Sequence, residues 1–266
     1  VMSSKDIFSL KNKVALVTGA TGYLGSSMAE GLAIAGAKVY INGRTDKEVL
    51  KLTRYLNEKG FEAKPAIFDV TNFKIVEEFF DNFSDDTLDI LVINAYSGNG
   101  GTSKTSTLED FRNSYEISMV ASHHLLQNTL VYLKEAKKVN GDASVINIAS
   151  MYGIVSPDIE IYDSEEKSNP PFYGASKAAL IQWTKYTACE LAKHGVRVNA
   201  ISPGAFPKTS VKKSSPDLYK KIMKKTPFGR VGSSDELIGP VVFLASNSAS
   251  YITGVNLPVD GGWTAW

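Results

Sequence analysis

Cysteine is nearly missing from this chain: Cys189 is the only one in 266 residues. One thiol excludes an intramolecular disulfide framework, and its place inside an apolar helical pattern predicts a buried, inert side chain rather than a nucleophile. Histidine is almost as scarce. His123, His124 and His194 fall on helical stretches without ligand spacing, so no metal site is expected. An excess of either charge is also lacking, since 29 basic residues against 28 acidic leave a formal net charge of +1. Net charge therefore gives no pull towards nucleic acid or an anionic membrane, and neither is expected as a partner. No run of 18 apolar residues occurs, and the first residues lack the charged start, apolar centre and small-residue cleavage site of a signal peptide. A cytoplasmic protein is the expectation.

What is present is apolar content of 43%, enough to bury a sizeable core. Short segments rich in Val and Ile at 14–17, 39–41, 66–68, 90–93, 145–148, 196–201 and 255–259 read as buried parallel strands. Helical patterns lie between them at 24–35, 46–59, 73–83, 108–138, 173–193 and 234–245. With no proline-rich linker or repeat to divide it, this alternation predicts an α/β chain: a single doubly wound, Rossmann-type domain over 1–266. Its seven parallel strands would carry helices on both faces and a ligand at their carboxyl ends.

Three clusters point to chemistry. Tyr173-Gly174-Ala175-Ser176-Lys177 sets a phenol and an ammonium four residues apart at a helix start, where i and i+4 side chains share a face. A unit charge ~5 Å away, at an effective dielectric of ~20, favours the phenolate by roughly 3 kcal/mol, so Tyr173 is expected to titrate below the usual tyrosine value. Directly after the first strand comes Thr18-Gly19-Ala20-Thr21-Gly22-Tyr23-Leu24-Gly25, leading into a helix. Glycines there let backbone approach a pyrophosphate, and the free amides and positive helix end stabilise its charge. The second strand ends in Asn42-Gly43-Arg44-Thr45, an arginine without an adjacent acid. A guanidinium fork suits a ribose 2′-phosphate, so NADP is favoured over NAD, with a solvated loop arginine as the plainer account.

These motifs, with others in order along nearly the whole chain, resemble the short-chain dehydrogenase/reductase family in its compact single-domain branch. Asp69-Val70 resembles the adenine-contacting acid and its neighbour, Asn94-Ala95 the Asn-Ala-Gly turn, and Ile148-Ala149-Ser150 the strand end with the catalytic serine. Tyr173 and Lys177 match the catalytic pair, and Ser202-Pro203-Gly204, followed by Phe206, the turn that supports the nicotinamide. The resemblance implies an NAD(P)-dependent oxidoreductase acting on CH–OH groups. Ser150 would hold the substrate oxygen, Tyr173 would exchange its proton, and Lys177 would lower the phenol's pKa and bind the nicotinamide ribose. It also implies cofactor contacts from Gly19, Thr21, Gly22, Tyr23, Leu24, Gly25, Arg44, Asp69, Val70, Asn94, Ala95, Pro203, Gly204 and Phe206, and a homotetramer or homodimer in which Trp263 and Trp266 either join an interface or pack on their own subunit.

The chain departs from that pattern in four places. Gly22 gives a glycine spacing like the extended branch, Tyr96 stands where the Asn-Ala-Gly turn has glycine, and Ser118 occupies the position of the asparagine that supports a proton-relay water. Ser150 and Tyr173 are also 23 positions apart, which leaves an insertion near 154–172, either a frame for the substrate mouth or a spacer. A similar insertion is familiar in members associated with unusual surface sugars. The expected lid near 205–227 carries seven lysines from Lys208 to Lys225, which either attract an anionic substrate or solvate a helix face. The segment 225–266 is similar to sugar-acid dehydrogenases of the gluconate 5-dehydrogenase type. The leading expectation is thus an NADP-dependent oxidoreductase of a polar, sugar-like alcohol or ketone. A 3-oxoacyl thioester reductase is the alternative enzyme, and a catalytically silent NADP-binding regulatory or scaffold protein the alternative of another class.

Overall fold

Valine, isoleucine and leucine fill the central strands because both faces of that part of the sheet are covered. The computed structural model describes residues 7–266, so the reading of the N-terminus as free of a signal peptide rests partly on residues 1–6, outside the described residues. Along the chain run β1 (Val14–Val17), α1 (Tyr23–Ile34), β2 (Lys38–Gly43), α2 (Asp46–Glu58), β3 (Ala63–Ile67), α3 (Phe73–Asp81), β4 (Ile90–Ile93), α4 (Leu108–Tyr115) and α5 (Ala121–Asn140). Then come β5 (Ala143–Ile148), α6 (Pro171–Ala192), β6 (Val196–Pro203), α7 (Thr209–Ser214), α8 (Pro216–Lys225), α9 (Ile238–Ala245) and β7 (Asn256–Val259). All strands pair in parallel in the order β3-β2-β1-β4-β5-β6-β7. The order reverses between β1 and β4, which opens a crevice at their carboxyl ends.

Alternate strand residues point to opposite faces, and the core divides accordingly. Ala15, Val17, Val39 and Ile41 pack with Met28 and Leu32 of α1 and Leu244 of α9. Leu16, Leu91, Val145 and Val198 pack on the other face with Phe80 of α3, Leu125 and Leu133 of α5 and Leu191 of α6. Each fully buried leucine contributes on the order of 2 kcal/mol, so this two-faced burial fixes the sheet that holds the site. Among the described residues no helix is long and apolar enough to cross a membrane.

The strands at 14–17 and 90–93 have the expected bounds. The third strand instead starts at Ala63, because β3 is an edge strand whose Ala-Lys-Pro start carries no apolar run; Pro65 is tolerated there. The expected helix at 108–138 is two helices, since a π-helical turn, Glu116–Val120, separates α4 from α5. Gly141, at φ 78°, caps the end of α5. The segment 234–245 opens with one 3-10 turn, Ser234–Leu237, before α9. In the expected lid region the chain forms α7 and α8. The prediction for Cys189 is overturned: it is exposed. Leu180, Thr184, Thr187, Ala188 and Leu191 form the inward stripe of α6, and Cys189 lies one residue, about 100°, past Ala188.

Candidate active site

A cavity of about 490 Å³ lies where the sheet order reverses, and backbone shapes one end of it. Gly19 has φ +60°, and a Cβ there would come within 2.9 Å of Ala95 Cα; a Cβ on Gly25 would collide with the Gly19 carbonyl oxygen. Only glycine allows this loop to close against β4 and α1. The start of α1 at Gly22 has no side-chain cap and no acid in its first turn. Gly19, Thr21, Gly22, Tyr23, Leu24 and Gly25 all line the cavity, so uncapped amides and the positive helix end meet it, an arrangement that fits a pyrophosphate.

Beyond the loop, Arg44, Asp69 and Val70 line the same wall. The Arg44 guanidinium is largely exposed, 3.6 Å from the Asp69 carboxylate. Burial alone would raise the Asp69 carboxyl, but hydrogen bonds from the Thr71 N–H and hydroxyl, with the charge of Arg44, hold it below its usual value. Asn94 and Ala95 border the cavity as well. The Asn94 amide is engaged within the protein, donating to the carbonyls of Thr18 at 2.9 Å and Gly19 at 3.2 Å. It staples β4 to the glycine loop. Pro203, Gly204 and Phe206, after β6, complete the lining on the far side.

Ser150, Tyr173 and Lys177 meet at the end of β5 and border this cavity. The Ser150 Oγ accepts from the Tyr152 N–H at 3.1 Å, which ties it to the turn Met151–Gly153. Pro171 occupies the first turn of α6, where the missing N–H costs nothing, and α6 carries Tyr173 and Lys177 inward on successive turns. The Lys177 Nζ donates to the Ile148 carbonyl at 2.8 Å and lies 5.8 Å from the centre of the Tyr173 ring.

The family described as Enoyl-(Acyl carrier protein) reductase matches residues 19–264. The chain belongs to the short-chain dehydrogenase/reductase family. It is 34% identical over 263 residues to a tropinone reductase homologue of Arabidopsis thaliana, covering 97% of this chain and 92% of the relative. It is also 34% identical over 266 residues to a sorbose reductase of Candida albicans, covering 97% and 89%. Among solved structures, a gluconate 5-dehydrogenase of Burkholderia cenocepacia, in complex with NADP and tartrate, superposes with a TM-score of 0.87 at 29% identity, covering 99% of this chain and 100% of that one.

Two expectations for this short-chain dehydrogenase/reductase change. Tyr173 is not shifted down: burial raises its phenol above the usual value, against a smaller opposing pull from the Ser150 hydroxyl. Burial also lowers Lys177, to about 8, so the charge meant to depress the phenol is itself disfavoured. A pair on a helix surface has water around it, whereas this one is enclosed. Ser118 does not border the cavity. It lies within the π-helical turn, where its neighbour Ile117 borders the cavity, and the Ser118 hydroxyl donates to Ser176 Oγ at 3.2 Å.

Two departures from the family pattern, Tyr96 and the insertion, come together beside Tyr173. Tyr96 packs edge-on against Tyr173 with ring centres 4.9 Å apart. From the insertion, Tyr162 lines an adjoining pocket with Tyr96 and Tyr173 and sets its hydroxyl 3.1 Å from that of Tyr152. Ile161 packs with Met151 and Trp263, against Leu218 and Ile222 of α8. Lys225 pairs with Asp158 at 2.5 Å, Lys220 with Asp217, and Lys221 reaches the Glu160 carbonyl. None of the seven lysines from Lys208 to Lys225 lines the cavity. Trp263 packs on its own subunit, whereas Trp266 is exposed.

Proposed function

We propose that the protein is an NADP-dependent oxidoreductase acting on a secondary alcohol or ketone of a polar, sugar-like substrate. The convergence of Ser150, Tyr173 and Lys177 beside a glycine-shaped cavity carries this reading. Bound nicotinamide supplies or accepts the hydride. The loop 19–25 would hold the pyrophosphate and Arg44 the 2′-phosphate, with Asp69 and Val70 at the adenine and Pro203, Gly204 and Phe206 near the nicotinamide. The Ser150 hydroxyl donates to the substrate oxygen. Tyr173 gives its phenolic proton to that oxygen in reduction and takes it back in oxidation, while Lys177 favours the phenolate formed.

The whole chain acts as one catalytic unit on this reading, with 154–172 framing the substrate mouth and 205–227 as its lid. Tyr162, which lines an adjoining pocket with Tyr96 and Tyr173, offers a ring and a hydroxyl suited to a polyol, and the sorbose reductase and gluconate 5-dehydrogenase relatives support the same class. The exposed apolar side chains Leu108, Val131, Val139 and Tyr186 favour a homodimer or homotetramer, assembled in the cytoplasm.

NADPH and NADH oxidation against keto sugars, keto sugar acids and 3-oxoacyl thioesters tests the proposal, with Tyr173→Phe as control. The expected result is turnover with NADPH and a keto sugar or sugar acid, falling at least roughly a hundredfold in Tyr173→Phe with NADPH affinity retained. Turnover of thioesters alone would assign a fatty-acyl substrate instead. NADPH binding without turnover across the panel would turn the reading towards a regulatory protein.

A further inference from the structure

Lys177 is 4% exposed, and the Ile148 carbonyl accepts one of its three ammonium hydrogens. Among the described residues no carboxylate pairs with it. What surrounds the cation is aromatic: its Nζ lies 5.1 Å from the centre of the Tyr96 ring and 5.8 Å from that of Tyr173. Tyr173 belongs to the reacting pair. Tyr96 does not, and it stands where the family resemblance implies a glycine.

The Tyr96 ring is fixed from two sides. Its edge-to-face contact with Tyr173 has an interplanar angle of 67°, and its Oη lies 3.0 Å from Ser114 Oγ on α4. Ser114 is itself 3.0 Å from Ser176 Oγ and 3.2 Å from the Phe172 carbonyl on α6. Ser118 reaches the same Ser176 from the π-helical turn. The departures at 96 and 118 are therefore joined by one buried chain of hydroxyls, Tyr96 to Ser114 to Ser176 to Ser118. It ties the turn after β4 to α6 at the residue preceding Lys177.

We propose that Tyr96 is a positioning residue: its ring, pinned by the serine chain, stabilises the Lys177 cation from one side and braces the Tyr173 ring beside it. A cation against an aromatic face in a dry site gains most where hydration is missing. The titratable groups around Lys177 are Tyr173 from its own helix and Tyr96 from the turn after β4, with Tyr152 and Tyr162 coupled to Tyr173 from the insertion side. This inference rests on the reading of Tyr173 and Lys177 as the reacting pair, but its first readout needs no turnover.

The test is an NMR titration of the ¹⁵N-labelled lysine ammonium of Lys177 in the cofactor-free protein, for wild type, Tyr96→Phe, Tyr96→Leu and Ser114→Ala. Tyr96→Phe keeps the ring but loses the hydroxyl bond to Ser114, and lowers the midpoint by no more than Ser114→Ala does. Tyr96→Leu lowers the midpoint by roughly half to one and a half pH units. Ser114→Ala leaves every ring in place and removes the pin together with the Ser114 bonds to Ser176 and the Phe172 carbonyl; it lowers the midpoint by less than Tyr96→Leu and decides the matter if Tyr96→Leu does not fold. Unchanged midpoints in the variants that fold overturn the proposal. With an active substrate in hand, the alkaline limb of kcat moves down in Tyr96→Leu and by less in Tyr96→Phe, which keeps the ring. If wild type reduces no carbonyl, the functional reading fails while the titration still decides the role of Tyr96.

Discussion

A lysine enclosed without a carboxylate partner imposes its own pH dependence on stability. Burial depresses Lys177 in the folded protein to about 8, against an unfolded value near ~10.4. Between these two values the unfolded chain binds more protons, so stability rises with pH across that window. Below about 8 the full penalty is present, on the order of 3 kcal/mol; above the unfolded value both states are neutral and it is gone. Tyr152 and Tyr173, raised by burial, act in the opposite sense only once unfolded phenols ionise, near pH ~10. Guanidinium unfolding of the cofactor-free protein from pH 7.5 to 10 should therefore show wild type gaining on Lys177→Met. A flat difference would remove the buried cation from the account. The spacing of Tyr173 and Lys177 was legible in the sequence, and so was their meeting with Ser150. The direction of the phenol's shift was not, because the side chains that enclose the pair come from positions 96 and 148–162, far from the motif.

At the scale of elements, strands were read well where Val and Ile are enclosed on both faces, as in β1 and β4, and poorly at the edge, where Pro65 and Lys64 conceal β3. The break between α4 and α5 left no trace in the apolar pattern, since a π-turn changes hydrogen-bond register without needing a special residue. The lysines of 208–225 read equally as anion bait or as a solvated face; the fold gives several of them local partners. Asp158 and Lys225 join the insertion to α8, and that pair, with Lys221 on the Glu160 carbonyl, latches the two segments together. Replacing Asp158 with Asn should leave the core intact and release α8. The expected outcome is faster tryptic cleavage within 208–225 and a higher KM, with the main melting transition unmoved. Cleavage at the wild-type rate would mean that the packing of Ile161 with Leu218 and Ile222 closes this edge alone.

For the whole molecule, the sheet is enclosed on both faces, yet apolar side chains remain uncovered on the helices. Val131 and Val139 of α5 are 66% and 65% exposed and Tyr186 of α6 is 66% exposed, while Leu108 and Phe111 of α4 stand out at 76% and 44%. Scattered exposed apolar residues are ordinary in a monomer. Those on α4, α5 and α6 matter for the site, because α4 and α6 also carry Tyr173, Lys177 and Ser114 and Ser176 of the chain that pins Tyr96. A second copy seated there would cover the apolar surface and stiffen the helices that hold the reacting groups. Light scattering after size exclusion should give a dimer or tetramer for wild type, and a smaller species for the double variant Val131→Lys, Tyr186→Lys. If the two form the same species, α5 and α6 lie outside the interface. If wild type is a monomer, the helices are held by the serine chain and the β5–β6 packing without help from a second subunit.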